Sequence, residues 1–134
     1  MKFRYKEIAP EFTRPIIPLE VINEKDRSQS IKYEVLVDSG ADLNIFDAEI
    51  GEAIGIDIKS GIKQTVTGIT SGPPEPYYLH KVIIKLPDFQ YSTMVGFKEN
   101  MQNSYGVVGQ RGFFDVFIVR FDFIGREVYL KLRK

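Results

Sequence analysis

Residues 47–54 are the one stretch of this chain with the spacing and end signals of a helix. On either side the sequence reads as short apolar runs cut by glycine, proline and polar clusters. Asp47 is placed to cap the helix, Ile50, Ala53 and Ile54 fall on one face, and Gly55 closes the end. A chain so poor in helix must build its core from strands. The pattern predicts an all-β barrel carrying one or two small helices.

Residues 12–22 are apolar and β-branched, but Pro15 and Pro18 mark them as an edge or irregular strand. The polar turn NEKDRSQS (23–30) leads into a strand over 31–37, which predicts a hairpin. A second, longer hairpin is predicted from 62–67 and 77–86. Its tip, GITSGPPEP (68–76), holds too many prolines to continue a ladder. Pro87-Asp88 turns the chain into a strand over 89–97, and 98–105 is a loop. Gly106-Val107-Val108-Gly109 precedes a short helix expected over 110–116, carrying Phe113 and Phe114. Residues 117–123 alternate, with Ile118 and Arg120 opposite Phe117, Val119, Phe121 and Phe123. A turn at 124–126 then leads to Val128, Leu130 and Leu132 on alternate positions of a final strand. There is no internal duplication, linker or low-complexity tract, so the 134 residues read as one domain.

Composition removes several function classes. Lys and Arg number 18 and Asp and Glu number 18, so no overall field favours nucleic acid or an acidic membrane surface. With no cysteine, disulfides, thiolate metal sites and a cysteine nucleophile are excluded. His80 is the sole histidine, which leaves a transition-metal site almost wholly to carboxylates. It sits in YYLHKVIIKL as a strand-surface residue. No G-x-S-x-G elbow, phosphate-binding glycine loop or RNA-recognition signature is present. The N-terminal MKFRYKEIAPEF lacks the apolar segment of a signal peptide, and no run approaches membrane-spanning length. A soluble, cytoplasmic protein is expected.

The residues that carry chemistry lie in VLVDSGADLNIF (35–46). Asp38 ends an apolar run, where a charge is costly unless it is hydrogen-bonded, paired or used. It can cap its own turn through backbone N–H groups, or it can be catalytic. Three motifs, in order, resemble those of the retropepsin-like aspartic proteases, the family of the retroviral proteases and their single-domain cellular relatives. LVDSGAD (36–42) resembles the catalytic loop and VTGITSG (66–72) the flap. VVGQRGFFDVFIVRFD (107–122) resembles the apolar-apolar-Gly segment and the helix and strand after it. The resemblance covers most of the chain, from about Arg14 to Leu132.

That resemblance implies a retropepsin-like barrel, one half-module per chain, with residues 1–12 as an N-terminal extension and 62–86 as the flap hairpin. It implies an aspartic endopeptidase that hydrolyses extended polypeptides through a water held between two aspartates. One Asp-Ser-Gly per chain then requires a homodimer, with Asp38 meeting its counterpart across a twofold axis. Ser39 is implied to hydrogen-bond across that axis, Gly40 to let the backbone approach the partner loop, and Ala41 to keep the cleft floor small. Asp42 matches a position that contacts substrate main chain, or else it closes an Asx turn. Gly68, Ile69, Thr70 and Gly72 are implied to close over bound peptide, while Val107, Val108 and Gly109 pack behind the loop. No cofactor or metal is implied. The sequence departs from the retroviral pattern at Gln110, where an arginine would pair with the aspartate at 42, and Arg111 follows one residue later. A strand over 127–132 is a candidate interface element. The alternative reading is a peptide- or protein-binding module of the same fold that does not cut.

Overall fold

The computed structural model describes residues 1–65 and 75–133. In chain order its elements are β1 (Lys2–Arg4), β2 (Lys6–Ala9), β3 (Phe12–Arg14), β4 (Ile16–Asn23), β5 (Ser30–Val37) and β6 (Ile45–Asp47). Helix α1 (Ala48–Ala53) and a single 3-10 turn (Ile58–Ser60) follow, then β7 (Ile62–Thr65), β8 (Pro76–Leu86) and β9 (Phe89–Lys98). The chain finishes with β10 (Gly106–Val108), β11 (Phe117–Asp122) and β12 (Glu127–Leu132).

Six strands close a barrel in the order β4-β5-β10-β6-β9-β8, with β8 returning to β4. The expected hairpins form. Strand β4 pairs with β5 from Ile16↔Leu36 to Ile22↔Ser30, and β8 with β9 around a two-residue turn at Pro87-Asp88. Strand β7 adds to the open edge of β8, from Ile62↔Leu79 to Thr65↔Pro76. The barrel fills with Ile17, Val21, Val35, Val82, Ile84 and Val95 and with the rings of Phe46, Phe97, Phe113 and Phe117, all inaccessible to water. Those rings meet edge to face or tilted, Phe46 against Phe97 at 6.2 Å and Phe113 against Phe117 at 5.2 Å.

Three local expectations need correction. First, of the two alternatives for residues 12–22, the irregular strand holds and the edge strand does not. These residues break at Pro15, and β4 is a barrel strand with neighbours on both sides along part of its length. Its pairing with β8 begins only at Glu20, so Pro18 lies in the half with one neighbour, where a missing N–H breaks no ladder. Second, α1 buries Ala48 and Gly51 and sets Ile54 in the core, whereas Ala53 points to water. The cap was legible, since the Asp47 carboxylate accepts from the Glu49 N–H at 2.9 Å. Third, residues 110–116 form no helix. Phe114 and Asp115 donate to carbonyls five residues back, Gly109 and Gln110, and Gly112 adopts φ +100 in between. A left-handed residue at that point prevents a regular α turn.

The N-terminal residues are part of a sheet. Strand β1 pairs with β12, which pairs in turn with β11, giving the order β1-β12-β11. His80 is half-buried rather than standing on an open strand surface; its Nε2 lies 2.7 Å from the Ile58 carbonyl.

Two tyrosines tie core burial to pH. Burial pushes the Tyr33 hydroxyl up to about 12 from its ordinary 10.0, and burial, helped by the nearby Asp115 carboxylate, raises Tyr91 as well. The folded chain keeps protons that the unfolded chain loses, so this stability is complete below about pH 10 and falls as pH rises toward 12. Denaturant melts at stepped alkaline pH are expected to show that decline, and to show less of it in Tyr33→Phe. An identical decline in the variant would refute the assignment.

Candidate active site

Strand β5 ends at Val37 and the chain leaves the barrel as a loop, residues 38–44, before re-entering as β6. Strand β10 runs parallel to the end of β5, with Val107↔Leu36 and Val108↔Val37, and antiparallel to β6 at Val107↔Ile45. The loop therefore begins and ends on opposite sides of one short strand. Backbone bonds fix both of its flanks. Asp38 N donates to Val108 O at 3.0 Å, Gln110 N to Ala41 O at 2.9 Å and Arg111 N to Asp42 O at 3.0 Å. Leu43 and Arg111 form a parallel bridge beyond them. Gly109 makes the crossing possible. A Cβ there would stand 2.5 Å from the Ala41 carbonyl oxygen and 2.8 Å from that of Leu43, both backbone atoms that cannot swing away.

Asp38 is half-buried at the mouth of this loop. Its Oδ1 accepts from Gly40 N at 2.9 Å, and Ala41 N closes the turn on Asp38 O at 3.1 Å. The turn-capping role considered from sequence is thus present. It occupies one carboxylate oxygen and leaves Oδ2 without a bond among the described residues. Ser39 and Gly40 are exposed beside it and Ala41 is half-buried. Asp42 is exposed, and its carboxylate closes no Asx turn among the described residues. So the structure brings Asp38, Ser39, Gly40, Ala41 and Asp42 onto one loop, three of them exposed and two half-buried. Gly68, Ile69 and Thr70, expected at the flap tip, lie outside the described residues, as does Gly72. The base of that hairpin, β7 and β8, is formed.

Two further residues hold the loop. Gln110 donates from Nε2 to the Ser39 carbonyl at 2.9 Å. The position where an arginine would meet the aspartate at 42 therefore braces the loop backbone instead, and Arg111 reaches Asp42 only through its main-chain N–H. Asn44, fully buried, accepts from Gly109 N at 3.0 Å through Oδ1 and donates from Nδ2 to Gly112 O at 3.2 Å. Sequence reading passed over Asn44. The available signal was an amide inside the apolar run Leu43-Asn44-Ile45-Phe46, which a buried strand tolerates only when the amide is satisfied.

A cavity of about 610 Å³ opens between Leu43 and Arg111 on the loop side and Gln64, Tyr77 and Leu79 on the hairpin side. A second of similar size lies between Gly55–Asp57 and His80, and includes no residue of the 38–44 loop. Among the described residues no group of three or more His, Asp or Glu is arranged to hold a metal ion, and no helix is long and apolar enough to cross a membrane.

No protein-family model matches the chain, and a search of curated proteins returns no match. Solved structures do. A retropepsin-like aspartic protease from Rickettsia conorii superposes with TM-score 0.55 at 12% identity, over 86% of this chain and 90% of that one. EIAV protease in complex with the inhibitor HBY-793 matches over 72% of this chain and 81% of that one, at 21% identity and TM-score 0.46. The chain thus has the retropepsin-like acid-protease fold, an all-β barrel with one short helix, as the sequence motifs implied.

Proposed function

We propose that this chain is half of an aspartic endopeptidase, and that Asp38 from two copies forms the catalytic pair. The observation that carries the reading is the presentation of Asp38. A strand delivers the carboxylate to a loop that β10 braces on both sides, with one oxygen tied to Gly40 N and the other without a bond among the described residues. The neighbouring fold is that of proteins named as aspartic proteases.

Two carboxylates in contact do not comfortably ionise together, so the pair holds one proton. The ionised member accepts a proton from a bound water as its oxygen attacks the scissile carbonyl carbon. The protonated member donates to the carbonyl oxygen. Collapse of the resulting diol breaks the C–N bond, and a proton passes to the departing nitrogen. Ser39 and Gly40 keep the two loops close across the axis, and Asp42 faces the main chain of an extended substrate. The β7–β8 hairpin, together with Gly68, Ile69 and Thr70 that the sequence resemblance assigns to the flap, covers the bound peptide and excludes water.

A mixed-peptide digest over mildly acid to neutral pH tests the reading when protein concentration is also varied. Cleavage per chain is expected to rise with concentration as dimers form. No cleavage at any concentration would leave the non-cutting peptide-binding module.

A further inference from the structure

Among the described residues, strands β2 and β3 pair only with each other. Every residue of the two is exposed apart from a half-buried Thr13. A two-stranded ribbon standing in water is marginal by itself, yet this one shows large apolar side chains to solvent, Ile8 at 45% and Phe12 at 59% exposure. Its base is firmly anchored. Lys6 pairs with Glu34 on β5, and Pro15 O accepts from Val37 N at 2.9 Å, one residue before Asp38. Tyr5 N donates to Arg126 O at 2.8 Å, which joins the ribbon to the β11–β12 turn. That turn carries the two most exposed large apolar residues described, Phe123 at 78% and Ile124 at 88%.

We propose that the β2–β3 ribbon is an arm that docks on a second copy of this chain, with the β11–β12 turn at its root extending the same interface. The proposal rests on the two-chain reading of Asp38. A twofold axis that brings Asp38 to its mate passes beside residue 38, so whatever projects from the adjacent backbone faces the other subunit. The arm leaves the barrel there. Strand β12, expected from sequence as an interface element, already pairs within one chain with β11 along its length and with β1 over Glu127–Tyr129, which leaves less of its edge open to a partner than the ribbon offers. A second copy is also the occupant that the site itself requires, since one chain supplies one Asp-Ser-Gly.

The test is the double variant Ile8→Asp/Phe12→Asp in the full chain, followed by sedimentation equilibrium from micromolar to near-millimolar concentration. Both side chains face water in a single chain, so circular dichroism and the melting curve of the monomer are expected to stay as in the parent. The dimer dissociation constant is expected to rise about tenfold or more. Peptide cleavage is expected to fall at low concentration and return at high concentration with KM unchanged. A dimer constant equal to the parent's overturns the arm and leaves the reading of Asp38 standing. The arm is overturned in that case even if the variant grips long polypeptides less well, which would make the ribbon a substrate-holding element. A parent protein that stays monomeric throughout and cuts nothing overturns the two-chain reading, and the arm with it.

Discussion

Asp38→Asn is expected to fold, to dimerise like the parent and to lose peptide cleavage by about 10³-fold or more, the scale of positioned acid–base catalysis. The substitution is close to neutral for structure because asparagine keeps an oxygen that can accept from Gly40 N, the bond that holds the turn. What it removes is the group proposed to take and return a proton. Melting temperature and sedimentation are therefore expected to stay within error while turnover disappears. Mixing parent and variant sharpens the test. If subunits exchange freely, equal amounts leave about a quarter of the dimers with two aspartates, so activity drops well below half. A mixture retaining half the activity would mean that each chain works alone, and cleavage by the variant within a few-fold of the parent would remove Asp38 from the chemistry.

Much of the barrel was legible because its signals are local. Period-two alternation at Val128, Leu130 and Leu132, the polar turn at 23–30 and the Pro87-Asp88 turn each specify a strand or hairpin from a handful of adjacent residues. The Asp47 cap is of the same kind, and so is Asp38, a carboxylate out of place at the end of an apolar run. What stayed hidden depends on pairing partners far apart in sequence. Pro18 reads as an edge signal, and only the staggered start of the β4–β8 pairing at Glu20 reconciles it with a barrel strand. The helix expected over 110–116 has suitable composition, but Gly112 must reach the loop across the crossing, and its left-handed backbone prevents the turn from propagating. On the expected face of α1, Ile50 and Ile54 pack on the core but Ala53 does not, for a similar reason. Gly51, not Ala53, lies against Ile58 and Phe97, where a Cβ would stand 2.6 Å from the Ile58 side chain. A missing side chain gives no hydrophobic signal, although here it marks the closest packing.

Asn44→Leu is expected to be the most damaging change that leaves Asp38, Ser39, Gly40, Ala41 and Asp42 untouched. Leucine matches the volume, but two bonds spanning 65 and 68 residues disappear from a fully buried position. The Gly109 N–H is left without its acceptor, while Gly112 O keeps the Tyr91 hydroxyl at 2.7 Å. With each stranded buried group costing roughly 1–3 kcal/mol, the loss is expected to be about 3 kcal/mol. That corresponds to a fall in Tm of about 12 °C for a domain of this size. Turnover is expected to fall even well below the new Tm, because Gly109 and the 38–44 loop share the freed contact. Tyr91→Phe alone removes one of two donors to Gly112 O and is expected to cost about 1 kcal/mol. In the double variant that carbonyl loses both donors inside the core, so the combined loss is expected to exceed the sum of the single losses by about 1 kcal/mol. Denaturant unfolding of the four proteins measures that coupling. Strict additivity, or a loss below about 1 kcal/mol for Asn44→Leu, would show that backbone bonds alone hold the crossing and that Asn44 only fills space.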